Sequence, residues 1–237
     1  MDPKRLVLTF DELPPEHMAK LMALYSRSAA GVNAHLEKVR LTGSAKFMEE
    51  HYVGYGHQSI GDCASTWVFL EGVSVLAAKA VEDTPLFNGQ ETSTRYINMG
   101  EQPIIDPINS DISRAVLARL MGFYRNSLAI LTGPNSVLRQ RYPQKPDDNE
   151  GTYNRAISAK AFDILRGFLP AGITTLVGWH TTLRHASDHI QRLEHHPLGE
   201  IRDLAGETLT SLQGKYASSF GQKRYPATQA YRAECSR

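Results

Sequence analysis

Cysteine is scarce in this chain. Cys63 and Cys235 are the only two among 237 residues, which excludes a disulfide-framed scaffold and points to a reducing compartment. An excess of charge of one sign is also missing. The 26 Lys and Arg against 25 Asp and Glu leave a net charge of +1, so there is no general electrostatic footprint of a nucleic-acid binder. No apolar run reaches the length of a membrane span, and the opening MDPKRLVLTF is too short and too interrupted for a signal peptide. Together these absences predict a cytoplasmic protein that binds neither a nucleic-acid polymer nor a membrane. What is present is ordinary for a globule, with 41% hydrophobic and 22% charged residues. The length fits one large domain or two small ones and can bury a core without staples.

Arg5 to Phe10 alternates weakly and predicts a short strand. Pro14, Pro15 and Glu16 open a helix whose apolar positions include Met18, Leu21, Leu24 and Tyr25, spaced as one buried stripe. Further helices are predicted over Ala29 to Val39 and Lys46 to Tyr52. TWVFLEGV, Thr66 to Val73, is the strongest strand because β-branched and aromatic residues dominate it. Ser74 then suits the N-cap of a helix that Pro85 stops. Helices are predicted over Ile112 to Leu131, Tyr153 to Leu169, Ile173 to Leu193 and Leu198 to Leu212. The intervening Pro-, Asn- and Asp-rich stretch at about 134–152 reads as a long surface loop whose Arg139, Arg141 and Lys145 suit an anion or plain solvent. The polar tail 213–237 reads as loose or partner-dependent. Asn88-Gly89 reads as a turn.

Several residues bear chemistry. His57, Ser59 and Asp62 stand in a polar stretch just before the best strand. Ser93, Thr94, Arg95 and Tyr96 set two hydroxyls beside a guanidinium, a combination that suits a phosphate because arginine matches its oxygens bidentately. Glu91 and Gln90 suit a base or sugar. The same STRY stretch also fits a structural Ser-Thr turn. His185 and His189 share a helix face, and with Asp188 or Glu194 they have zinc-ligand chemistry. No HExxH-type signature accompanies them, so a surface histidine pair is expected. Cys63 has no basic neighbour in sequence to make it a thiolate, and a small buried hydrophobe is the expectation.

In order along the chain, Gly56-His57-Gln58-Ser59, Asp62, TWVFLEGV, Ser93-Thr94-Arg95-Tyr96, Arg166 with Leu169-Pro170, Arg184 and Arg192, and Glu200-Ile201-Arg202 resemble the flavin-dependent thymidylate synthase family over roughly residues 5 to 212. Two departures mark a divergent member. Where that family has Arg-His-Arg seven residues before its Ser-x-Arg-Tyr, this chain has Asp83-Thr84-Pro85. Where the family has Asn-x-Arg, it has Thr182-Leu183-Arg184.

The resemblance implies a single α/β (α+β) domain over 1–237, with a small, mostly antiparallel sheet flanked by helices, and a homotetramer with shared active sites. It implies methylation of uridylate C5, of dUMP or UMP, with methylenetetrahydrofolate as carbon donor, FAD as hydride carrier and NADPH as reductant. Flavin would meet His57, Ser59, Asp62, Arg184, Asp188 and His196. The nucleotide would meet Glu91, Ser93, Arg95, Tyr96 and Arg166, with Arg192 catalytic. No metal is expected. Two other readings stand beside this one: a catalytically silent flavin- or nucleotide-binding homologue, and a metal-dependent hydrolase built on His185 and His189.

Overall fold

A three-stranded antiparallel sheet in the order β1-β3-β2 is set among helices in the computed structural model, which describes residues 8–9, 12–28 and 31–236. In chain order the helices α1 (Pro15–Tyr25) and α2 (Val32–Thr42) come first, followed by α3 (Ala45–Phe47), which runs on into a π-helical turn, Met48–Gly54. Then follow α4 (Gln58–Asp62), β1 (Ser65–Ser74), α5 (Val75–Glu82) and β2 (Asn88–Glu91). The second half holds α6 (Asp111–Thr132), α7 (Val137–Arg141), α8 (Glu150–Leu165), β3 (Thr174–Thr182), α9 (Leu183–Leu193), α10 (Gly199–Lys215) and α11 (Pro226–Cys235). The mixed α/β class with a small antiparallel sheet is as expected. The predicted strand Arg5 to Phe10 lies outside the described residues, apart from Leu8 and Thr9.

The chain divides into two compact units. The first comprises Met1–Val68, Thr84–Asn88 and His180–Arg237; the second comprises Phe69–Asp83 and Gly89–Trp179. In the first unit α1 packs on α2 and α4, α4 on α9, and α9 on α10. Leu21 is buried on α1 as expected, together with Ala19 and Ala23, while Met18 and Leu24 are only half-buried and Tyr25 stays half exposed. Gly61 shows how closely α4 is held. A Cβ there would lie 2.5 Å from the Tyr52 ring, and Tyr52 is itself buried. Thr66 Oγ1 and Tyr216 OH, 2.9 Å apart, tie the start of β1 to the end of α10.

The second unit has an apolar core of Met99, Met121, Tyr124, Phe162, Leu165 and Ile173. The Ser74 hydroxyl caps α5 by accepting from the Ala77 amide at 2.9 Å, and α5 ends at Glu82, just before Pro85. Ser110 and Ser113 form a reciprocal capping box at the start of α6.

Four expectations are corrected. Thr174–Thr182 is a strand, not the first half of a helix. Its burial alternates, with Thr175, Val177, Trp179 and Thr181 turned inward, as the pleat requires. Asn88-Gly89 opens β2 and is not a turn. The expected loop at 134–152 contains α7, whose Leu138 is buried with Ile157 and Ala161. Its Arg139 guanidinium donates to the Thr132 and Gly133 carbonyls at the end of α6, so that arginine closes a helix rather than awaiting an anion. The tail carries α11 and is tethered to α9. Arg224 forms a bidentate pair with Glu194 at 2.7 and 2.8 Å, and Gln229 bonds His195 at 2.9 Å.

Candidate functional site

In the first unit a cleft of about 510 Å3 is lined by Asp62, Thr84, Pro85, Leu86, Arg184, His185, Asp188, His189 and Arg192. Local sequence explains the convergence. Asp62 ends α4, which packs on α9. On α9, positions 184, 188 and 192 recur every four residues and so fall on one side of the helix. The side chain of Thr182 starts α9 by accepting from the His185 amide at 3.2 Å.

Charge in the cleft is unevenly distributed. Arg184 Nη1 donates to Asp62 Oδ2 at 2.7 Å, and its Nε stands 3.8 Å from Asp188 Oδ2. That guanidinium is shared between two carboxylates. Arg192 is exposed and forms no ion pair among the described residues. The cleft therefore offers a new anion one unshared cation, and it offers hydroxyl donors the acceptor oxygens of Asp62 and Asp188.

Burial, reinforced by the Asp188 and Asp62 carboxylates, pushes the Tyr52 phenol above its ordinary pKa and keeps it neutral. Burial likewise lowers the pKa of His185, with Arg192 adding to the effect. The His185 ring lies 3.1 Å from Thr84 Oγ1 through Nε2 and 3.3 Å from Thr181 Oγ1 through Nδ1. It also stacks on the buried His189, with centroids 6.0 Å apart. The expected surface histidine pair is thus a half-buried His185 on a buried His189, and both line the cleft. Among the described residues, no group of three His, Cys, Asp or Glu side chains is placed to hold a metal ion.

The other residues expected at the flavin lie elsewhere in this unit. His57 and Ser59 are exposed and do not line the cleft; the His57 ring stacks beside His51 and Tyr55 at 6.3 and 6.0 Å. His196 Nδ1 accepts from the Leu198 amide at 3.1 Å, which fits a role in the turn before α10. The Cys63 thiol is pushed up by burial and by Asp62, in keeping with a small packing residue.

The residues expected at the nucleotide belong to the second unit. Ser93–Tyr96 is a turn closed by the Tyr96 amide on the Ser93 carbonyl at 2.9 Å. Arg95 forms a forked pair with Asp163 through contacts of 2.9 to 3.1 Å, and its guanidinium remains half exposed. Arg166 is exposed in the short turn after α8. Glu91 is the more telling residue. Its Oε1 is buried without a hydrogen-bond partner among the described residues. It lines a hollow of about 300 Å3 with Phe69, Leu70, Gln90, Thr92 and Leu176. Burial and the Glu91 charge raise the pKa of the neighbouring Glu82.

The model of the family described as thymidylate synthase complementing protein matches residues 7–216. This chain belongs to that family. Its curated relatives include the UPF0159 protein of Chlamydia pneumoniae, 27% identical over 93% of the chain and 46% of the relative. The UPF0159 protein of Chlamydia muridarum is 26% identical over 93% of the chain and 47% of the relative. The chain spans about half the length of these proteins. Among solved structures, thymidylate synthase X (ThyX) from Helicobacter pylori with FAD and dUMP superposes with a TM-score of 0.55 at 16% identity, covering 87% of this chain and 93% of that one. A second structure of that enzyme, also complexed with FAD and dUMP, gives 0.50 at 15% identity over 88% and 96%. This likeness shows the shared fold.

Sequence reasoning assigned Asp62, Arg184 and Asp188 to the flavin and Arg192 to the uridylate, and the cleft is lined by all four, whereas His57, Ser59 and His196, also assigned to the flavin, are not among its lining residues. That reasoning missed Thr84, Pro85, Leu86 and His185 as cleft wall. The signal was available, since Thr84 and Pro85 occupy the positions of the absent Arg-His-Arg.

Proposed function

We propose that this chain is a flavin-dependent uridylate C5-methylating enzyme whose flavin is held at the Asp62–Arg192 cleft. The observation that carries this reading is the convergence of Asp62, Arg184, Asp188 and Arg192 on one cleft of about 510 Å3, within the usual range for small-ligand sites. The donor set fits part of an FAD molecule. Asp62 and Asp188 accept from ribose hydroxyls, Pro85 with Leu86 offers an apolar edge to a flat ring, and Arg192, the unshared cation, is left for the uridylate carbonyls. The fit lacks the cationic triplet, because Asp83-Thr84-Pro85 brings no positive charge, so flavin binds more weakly than it would with Arg-His-Arg.

Reduced FAD, recharged by NADPH, supplies the hydride that turns a methylene from methylenetetrahydrofolate into a methyl group on C5 of the uridylate. The chain's own groups bind and polarise. The orphan Glu91 Oε1 accepts from a base imide or a sugar hydroxyl, which is the partner that a buried acceptor lacks. Ser93, Arg95, Tyr96 and Arg166 hold the phosphate once Arg95 releases Asp163. Arg192 stabilises charge developing on the pyrimidine carbonyls. The working assembly is a homotetramer in the cytoplasm.

A catalytically silent, nucleotide-binding member is the second reading. Arg95 and Arg184 are both already committed to carboxylates, and that observation favours it. Turnover separates the two. With FAD, NADPH and methylenetetrahydrofolate supplied, mass spectrometry of dUMP and UMP reactions side by side should show a methylated product from one of them. Bound flavin and nucleotide with no product from either would leave the silent reading.

A further inference from the structure

Helix α11 buries none of its 10 residues. A helix that short, with no packed face, is marginal in water, so contacts other than a core hold it in place. Three polar contacts do so, and all of them grip the end of α9. The Arg224 guanidinium, just before α11, forks onto Glu194 at 2.7 and 2.8 Å. Gln229 Oε1 lies 2.9 Å from His195 Nε2, and Arg232 donates to Gln191 Oε1. The near end of this segment is anchored differently. Ser219 and Phe220 are buried there, and the Phe220 carbonyl accepts from the Gln213 amide of α10 at 3.2 Å. The gripping residues all lie beyond residue 216, where the family likeness ends.

Residues 191, 194 and 195 stand within three positions of Arg192. At 100° per residue they occupy a sector about 60–160° around the axis from it, so the grip falls on one flank of the turn that carries Arg192. The backbone links them to it as well. The His195 amide donates to the Arg192 carbonyl at 3.1 Å, and the Glu194 amide to the Ile190 carbonyl at 2.9 Å. Gln191 also donates to Ser187 Oγ at 3.2 Å, so both ends of its side-chain amide are engaged. The start of α9 is held from elsewhere, by Asp62 on Arg184 and by Thr84 on His185. The Glu194 side chain is only 15% exposed. Its carboxylate has lost most of its water, and removing Arg224 would leave that charge uncompensated. A cation at this helix end also opposes the partial charge of the terminal carbonyls.

We infer that residues 224–232 clamp the last turn of α9, and that Arg224 is a positioning residue which acts through Glu194 to aim Arg192 into the cleft. The catalytic consequence rests on the reading above, in which Arg192 meets the uridylate carbonyls. A helix that served only to cover surface would have no reason to confine its polar contacts to one turn.

Hydrogen exchange on the full chain reads the clamp directly. Arg224→Gln should speed amide exchange at residues 194–196 about tenfold, the scale of a lost charge-assisted contact, and leave the first turn of α9 unchanged. Arg232→Gln, at the far end of the clamp, serves as a second variant if the first folds poorly. Glu194→Arg combined with Arg224→Glu re-forms the pair and should restore slow exchange. In turnover, Arg224→Gln should cut methyl transfer roughly tenfold at saturating uridylate, while NADPH-driven flavin reduction changes little. Unchanged exchange at 194–196, exchange that rises equally along the whole of α9, or methyl transfer and flavin reduction falling by the same factor would each overturn the inference. A wild type that turns over neither dUMP nor UMP would overturn the enzyme reading instead, and exchange in Arg224→Gln would still decide the clamp.

Discussion

The two arginine-bearing regions differ in what their charges are free to do. In the second unit, Arg95 of the Ser93–Tyr96 turn is forked onto Asp163, so its motif presents a closed ion pair. In the first unit, Arg184 is likewise shared by Asp62 and Asp188, but Arg192, two turns along the same helix, has no acidic partner among the described residues. A motif fixes which residue type is present; the neighbours decide whether its charge is available. An exposed pair of this kind contributes about 0–1 kcal/mol, so an incoming phosphate can displace it at small cost. Arg192 needs no such exchange.

The largest effect should therefore come from Arg192. Both Arg192→Ala and Arg192→Lys should cut methyl transfer by roughly 10²–10³, the loss typical of one donor aimed at developing charge. NADPH-driven flavin reduction should change much less. Lysine keeps the charge and loses the planar fork, so a lysine variant with near-normal turnover would remove Arg192 from the chemistry.

The second unit should respond in two directions. Arg95→Ala should weaken nucleotide binding about ten- to a hundredfold by calorimetry, the range for a lost charge-assisted bond. Asp163→Asn should tighten it, since it frees the guanidinium and removes a competing negative charge. Equal changes for flavin and nucleotide, or none, would make the turn purely structural.

Much of the fold was legible in the sequence, whereas the contrast between the arginines was not, and the illegible part has physical causes. Ser74 and Pro85 marked helix ends because caps and breakers act locally. β3 was misread because the strong helical period of Leu183, Ala186, Ile190 and Leu193 was extended backwards over a stretch whose β-branched residues prefer a pleat. The pairing of Arg95 with Asp163, 68 positions away, leaves no local trace. The same holds for His185, which read as a surface residue because its partner Thr84 is brought to it only by the fold.

His185 gives the smallest expected effect. Burial holds its folded-state pKa below the ordinary value, so the unfolded chain takes up that proton first as pH falls. Its contribution to stability is fully present above about 6.5 and is lost as pH drops through that value toward the folded-state pKa. Melting temperature should decline over that window, and His185→Gln should make the decline shallower. An unchanged slope would mean that His185 titrates alike in both states.

Equilibrium titration with FAD, read by flavin fluorescence in the wild type and in Arg184→Ala, tests the central claim most directly. The account predicts saturable binding with flavin quenching in the wild type, weakened about tenfold or more when Arg184 no longer braces Asp62 and Asp188. No bound flavin at high micromolar FAD, or binding indifferent to Arg184→Ala, would contradict it.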